Sequence, residues 1–330
     1  MLKRLRIDPY LILLLLTVVL AAVLPATGEA ARIVKIATYA AICLLFFLYG
    51  ARLAPKAILA GIAHWRLQLL ILVTTFLFFP LLGLGLEELL DGHLPAPLLT
   101  GMIFLCLLPS TVQSSIAFTS IARGNVPAAL CAASVSNLLG VFITPVLVGL
   151  LLHAEGGFNL QAFGDIATQL LLPFGLGQLA RPLIGKFLER HKKLTSYVDR
   201  GSILLVVYSA FSAGVVAGIW SQIDATDLGI VIALNIALLA VVLVATTVVS
   251  RLLGFSKEDQ IAIIFCGSKK SMASGIPMAG VLFPAATVGL LVLPLMLFHQ
   301  IQLFACAFLA QRYGARPQEA EAVVVSEPTV

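Results

Sequence analysis

The stretch Ile263–Gly280, IIFCGSKKSMASGIPMAG, sets two adjacent lysines in the middle of an otherwise apolar run. A charge at the centre of a bilayer costs several kcal/mol on insertion scales. Long basic side chains near a span end escape that cost by snorkelling to the surface. Lys269 and Lys270 sit about ten residues from either end of the run, and neighbours on a helix point roughly 100° apart. Both cannot escape together, so the pair reads as functional and the helix around it as broken.

The rest of the chain places that run in a membrane. Of 330 residues, 60% are hydrophobic and only 11% charged, against roughly 25% charged in a soluble domain. The apolar residues fall in repeated runs of about 20, the length that crosses a hydrocarbon core. With a net charge of +5, a soluble protein would suggest a nucleic-acid partner. Here the basic residues lie in short loops between spans, where they report topology, and no nucleic-acid partner is expected. Cys43, Cys106, Cys131, Cys266 and Cys306 all fall inside apolar segments without CxxC or Cys/His spacing, and read as small buried hydrophobes. The run Pro9 to Ala26 follows Lys3, Arg4 and Arg6 like a signal peptide. It reaches spanning length and has no convincing small-x-small cleavage site, so it is kept as a first transmembrane helix.

The runs predict ten helices, near 9–27, 34–53, 66–86, 97–121, 126–152, 165–184, 201–222, 228–251, 258–284 and 287–311. With both termini cytoplasmic, the lysines and arginines fall almost wholly on the inner side, and only Arg32 and Lys35 fall outside. All 16 acids fit in loops, span ends or tails, so the deep interior holds the two lysines and no carboxylate. The segment KFLERHKKLTSYVDR reads as the longest cytoplasmic loop and divides the spans into two fives. Because five is odd, the second half enters the membrane from the opposite side, an inverted repeat of the kind many secondary transporters share. The corresponding domain limits are 1–185 for the first repeat with the start of helix 6, 186–312 for the remainder of the second, and 313–330 for a disordered cytoplasmic tail.

The fourth and ninth spans are equivalent under that repeat, and both carry polar, helix-breaking patches: LCLLPSTVQSSIAFTS and FCGSKKSMASGIPMAG. Backbone freed from a helix in hydrocarbon has to line a protein cavity, and matched broken helices point to a mid-membrane binding site. The candidate ligand-contacting residues are therefore Thr111, Gln113, Ser114 and Ser115 in the fourth span, and Ser268, Lys269, Lys270 and Ser271 in the ninth. Ser134, Ser136 and Asn137 in the fifth join them, though a buried Asn also serves simple helix–helix bonding. His299, beside Gln300 and Gln302, has the same two readings. Tyr208, Ser209 and Ser212 are weaker candidates for an opposing wall.

At these segments the sequence resembles the bile acid:sodium symporter superfamily, in its divergent SBF-like branch. The resemblance spans roughly residues 5–312 and rests on FLYGARL, FFPLLG, CLLPSTVQSS, IARGNVPAALCAASVSNLLGVFITP and IAIIFCGSKKSMASGIPMA in that order. It implies an all-α integral membrane protein of ten transmembrane helices in two inverted five-helix repeats. A core (spans 3–5 and 8–10) would hold the crossing of broken helices 4 and 9, beside a panel (spans 1, 2, 6 and 7), with substrate in the cleft. It also implies a sodium ion at the crossing, held by a ninth-helix glutamate and nearby amides. Aligned on Gly267, this chain has Phe265 at the glutamate position, and Lys269 and Lys270 at the glutamine and asparagine positions. Half of the sodium shell is thus replaced by cations.

The function expected is a secondary active transporter of a small anionic organic solute, working by alternating access in the plasma (inner) membrane. Coupling is to sodium on the resemblance, and to protons or no ion on the residues themselves. Its partners are the solute and the lipid bilayer. No cofactor is expected apart from the sodium that the resemblance implies. An enzyme would need a nucleophile–base pair or a metal site. HExxH is absent and no carboxylate lies deep in a span, which leaves Ser268 or Ser271 with a lysine as the one conceivable dyad. A channel or membrane scaffold is the remaining alternative.

Overall fold

The computed structural model describes residues 9–52, 64–90, 92–152 and 167–316. Among these the chain is helical throughout, without a strand. The elements are α1 (Pro9–Val23), α2 (Gly28–Arg52), α3 (Trp65–Leu90), α4 (Ala96–Leu107), α5 (Gln113–Ile121), α6 (Val126–Leu151), α7 (Leu172–Arg190), α8 (Lys192–Val216), α9 (Ala225–Leu252), α10 (Lys257–Gly267), α11 (Met272–Leu282) and α12 (Ala285–Gly314). One π turn, Thr74–Phe78, lies inside α3. Six of these helices (α2, α3, α6, α8, α9 and α12) are long and apolar enough to cross a membrane. Helices are the outcome expected for apolar segments of this length, because only internal hydrogen bonds satisfy a backbone in hydrocarbon. The chain is a multi-pass membrane protein.

The predicted fourth and ninth spans are each interrupted, between Leu107 and Gln113 and between Gly267 and Met272. The first break has a local cause. Pro109 has no N–H and pushes the residue before it out of the helical region, and Leu108 is extended at φ −78°, ψ 152°. At the second break, Gly267 ends α10 and Ser268 turns its hydroxyl back onto the Ile264 carbonyl at 2.6 Å, a local competitor of helical pairing. Ser271 restarts the chain as the N-cap of α11, accepting from the Ser274 N–H.

The helices pack in two groups. In one, α2 lies along α7, and α8 packs on α1 and α2. The α2–α7 approach is close because glycines face main chain across it. A Cβ on Gly177 would overlap the Phe47 carbonyl, and one on Gly50 would overlap that of Phe174. In the other group α12 packs on α4, α5, α9 and α11, while α10 packs on α3, α5 and α6. The groups meet where α8 lies against α11 and α12.

Two expectations need correction. The supposed loop KFLERHKKLTSYVDR is helical: α7 runs to Arg190 and α8 starts at Lys192, with His191 as the only junction. The segment contains no glycine or proline, and its Lys, Leu, Glu and Arg residues are good helix formers. The limit drawn at 185/186 therefore falls inside a helix. At the other end, α12 continues through Gly314, so the tail expected from 313 begins as helix. Its part beyond Arg316 lies outside the described residues, as do Lys3, Arg4, Arg6 and Lys56.

Candidate functional site

The two breaks meet. The main-chain N–H of Ser271 donates to the Pro109 carbonyl at 2.9 Å, joining the interruptions backbone to backbone. Around this link the last carbonyls of the two preceding half-helices, which a helix end leaves without partners, are nearly all accounted for. Ser110 Oγ donates to the Cys266 carbonyl at 2.6 Å, Ser115 Oγ to that of Phe265 at 3.0 Å, and Thr144 Oγ1 to that of Leu107 at 2.8 Å. Ser136 Oγ accepts from the Ser110 N–H at 3.1 Å.

The lysines complete this set. Both are 0% exposed. Lys270 Nζ donates to the carbonyls of Cys106 at 2.8 Å and Leu108 at 2.7 Å, both at the end of α4, and to that of Thr75 at 2.9 Å. An ammonium has three donors, and all three are used. Thr75 lies in the π turn of α3, and such turns leave the regular hydrogen-bond ladder. The Phe79 ring lies 4.0 Å from the same nitrogen. Lys269 Nζ donates to the Ser114 carbonyl at 3.0 Å and lies 3.9 Å from the Phe118 ring and 5.3 Å from that of Phe265. Among the described residues no carboxylate pairs with either lysine. Gln302 fixes the Lys270 backbone, with Oε1 accepting from its N–H and Nε2 donating to its carbonyl, each at 3.0 Å. Gln302 Nε2 also reaches His299 Nδ1 at 2.9 Å.

In front of the crossing lies a cavity of about 560 Å³ between the two helix groups, a size that suits a small organic molecule. Of the residues predicted from sequence, Thr111, Gln113, Ser114, Ser134, Asn137, Ser271 and His299 line it. Ser115, Ser136, Ser268, Lys269 and Lys270 do not. They stand behind the wall, bonded to main chain, and bind the frame together. Tyr208, Ser209 and Ser212 are also absent from the lining: Tyr208 Oη donates to the Leu24 carbonyl at 2.8 Å, and Ser212 Oγ accepts from the Ala26 N–H.

The N-termini of α5 and α11 both open on this cavity, through Thr111 to Ser114 and Ser271 to Ala273. No side chain caps α5. A helix start carries roughly half a positive charge, and its free N–H groups suit an anion. The opposite wall was not anticipated from sequence. Arg52 grips Asp199 through both carboxylate oxygens, with NH1 2.8 Å from Oδ2. Arg200 lies over the Tyr10 ring at 5.1 Å. Tyr49 Oη crosses to the Ala273 carbonyl at 3.3 Å. Phe174 and Ile203 supply apolar surface between these groups.

The residues do not fit the sodium ion that the resemblance implies. Phe265 is 0% exposed and packs among Phe118 and Tyr313, with ring centroids 6.0 and 6.4 Å away. The carbonyls that converge nearby already hold the Lys270 ammonium. No three of His, Cys, Asp and Glu come together as a metal-holding group among the described residues.

Comparison with known proteins places the chain among transporters. The chain is 56% identical over 325 residues, 98% of its own length and 97% of the other's, to an uncharacterized protein of Pseudomonas aeruginosa. It is 49% identical to YfeH of Escherichia coli strain K12, whose name marks it a candidate symporter, over 96% of each chain. Sodium/bile acid cotransporter 7 of Rattus norvegicus is 28% identical over 271 residues, 81% of this chain and 79% of that one. The profile of the SBF-like CPA transporter family matches residues 8–315, nearly the whole chain, and the chain belongs to that family.

Proposed function

We propose that this chain is a secondary active transporter that carries a small organic anion across the plasma membrane by alternating access, without a requirement for sodium. The observation that carries the reading is the opening of two half-helix N-termini, at Gln113 and Met272, on one cavity of about 560 Å³. Converging helix starts favour an acidic group on the solute. Phe174, Ile203, Leu138 and Val141 offer its carbon body an apolar wall. Behind the wall the two ammonium groups add positive potential and repel free cations.

On this reading the chain makes ten spans in two inverted fives, with both termini cytoplasmic. The group α1, α2, α7 and α8 is the panel, and the remaining helices form the core that moves against it. The cavity then opens to the cytoplasm, because Arg52, Asp199 and Arg200 lie toward that end of their helices. Movement of the core breaks the Tyr49–Ala273 bond, one link between the groups. A Ser–Lys enzyme has no support in the geometry, since both lysine Nζ atoms donate to carbonyls rather than to Ser268 or Ser271.

The test is a thermal-shift screen of the purified protein against small carboxylates and sulfonates, then uptake of the strongest binder into proteoliposomes. Saturable uptake against a gradient supports the proposal. An ohmic current, or stabilisation by organic cations alone, contradicts it.

A further inference from the structure

The three carbonyl oxygens around Lys270 Nζ belong to two separate elements, the π turn of α3 and the end of α4. All three converge on this one nitrogen, and Lys270 is closed to solvent. Carbonyl rings of this kind replace the hydration shell of a potassium ion in selective channels. An aromatic face completes the enclosure, with the Phe79 ring 4.0 Å away, and ring faces attract cations. The oxygen distances of 2.7–2.9 Å suit potassium or ammonium, which resemble each other in size, better than the smaller sodium.

Removing the ammonium while keeping the frame would leave three buried acceptors pointing at one another. Each unsatisfied group carries its full desolvation penalty, and their dipoles repel. A hydroxyl has a single donor, so at most one of the three acceptors could find a local replacement. Thr75 Oγ1 is itself buried without a partner, and Gln302 is committed to the Lys270 backbone and His299. Lys269 differs, because one carbonyl and two rings surround it and they define no cage.

We infer that the Thr75, Cys106 and Leu108 carbonyls form a monovalent-cation site whose permanent occupant is the tethered ammonium of Lys270. The site takes a potassium or ammonium ion when that side chain is shortened. The wild-type protein carries its structural cation covalently and is indifferent to the cations around it. This concerns the frame behind the cavity and does not rest on the anion reading, so a stability measurement tests it independently of transport.

The experiment compares melting temperatures of the full-length wild type, Lys270→Ala, Lys270→Met and Lys269→Ala in detergent, in choline, sodium, potassium or ammonium chloride at constant ionic strength. Wild type should melt alike in all four. Lys270→Ala should melt lower in choline and recover saturably in potassium or ammonium, by roughly 5–10 °C at a hundred times the dissociation constant, and less in sodium. Lys270→Met, which fills the space with an apolar chain, should be destabilised without recovery, and Lys269→Ala should show no cation preference. If Lys270→Ala folds only in potassium or ammonium, the inference also holds. If it folds in none of the salts, melts identically in all of them, or if Lys270→Met matches wild type, the inference is wrong.

Discussion

The Ser271 N–H and the Pro109 carbonyl, 2.9 Å apart, tie two interruptions more than 150 residues apart in sequence into one crossing. It brings the end of α4 next to Lys270 and the start of α5 next to Lys269, so the ammonium groups meet the carbonyls that the breaks set free. The N–H ends of α5 and α11 are left to face the cavity.

Ser271 offers two separable tests of this link. Ser271→Ala removes only the side-chain cap on the Ser274 N–H and should cost about 0.5–2 kcal/mol. Ser271→Pro removes the main-chain donor itself and leaves the Pro109 carbonyl buried without a partner, adding about 1–3 kcal/mol. Melting temperatures in detergent should fall in that order. Equal melting of the two variants would show that the backbone link contributes nothing.

Gln302→Leu should be more damaging than an ordinary core substitution. It strips partners from both the N–H and the carbonyl of Lys270, each worth about 1–3 kcal/mol when left buried and unpaired. Denaturation of the purified variant should register a loss of several kcal/mol. A loss below about 1 kcal/mol would mean that Gln302 does not hold the break.

The α2–α7 approach predicts opposite behaviour for two glycines a short distance apart on one helix. Gly177→Ala drives its Cβ into the Phe47 carbonyl, whereas a Cβ on Gly175 meets nothing within 4 Å. Overpacking should destabilise the first by about 1–3 kcal/mol. The second should be neutral or gain up to about 1 kcal/mol in helix propensity. Melting curves of both variants check the sign.

Arg52 and Asp199 form the best-defined ion pair of the cavity wall, with side chains 30% and 18% exposed. A double-mutant cycle to alanine should give a coupling of about 0.5–3 kcal/mol, toward the low end because solvent screens the pair. Additive effects of the two single variants would show that the pair does not brace α2 against α8.

The breaks were legible because Pro109, Gly267 and the hydroxyl-rich patches are local signals that act within a turn or two. The two lysines were recognised as buried for the same reason: no neighbour could carry them to a surface. Where their ammonium groups point was not legible, since Lys270 reaches a π turn almost 200 residues earlier that no pattern in TTFLF announces. Arg52, Asp199 and Arg200 were passed over because charge near a span end reports topology first, and only the packing of α8 on α2 turns those residues toward the cavity. The supposed loop around His191 was misread on charge alone, although its freedom from glycine and proline was available as a signal. Of the candidate residues, seven face the cavity, and the others, including both lysines, hold the frame.

Sodium-independent carriage of an anion is tested by proteoliposome uptake of the best-binding carboxylate, with external sodium replaced by choline at fixed pH and membrane potential. The same initial rate is expected in both salts, with loss of uptake in Lys269→Ala while that protein still inserts and purifies as a folded species. Uptake that collapses in choline and recovers steeply with sodium would contradict it.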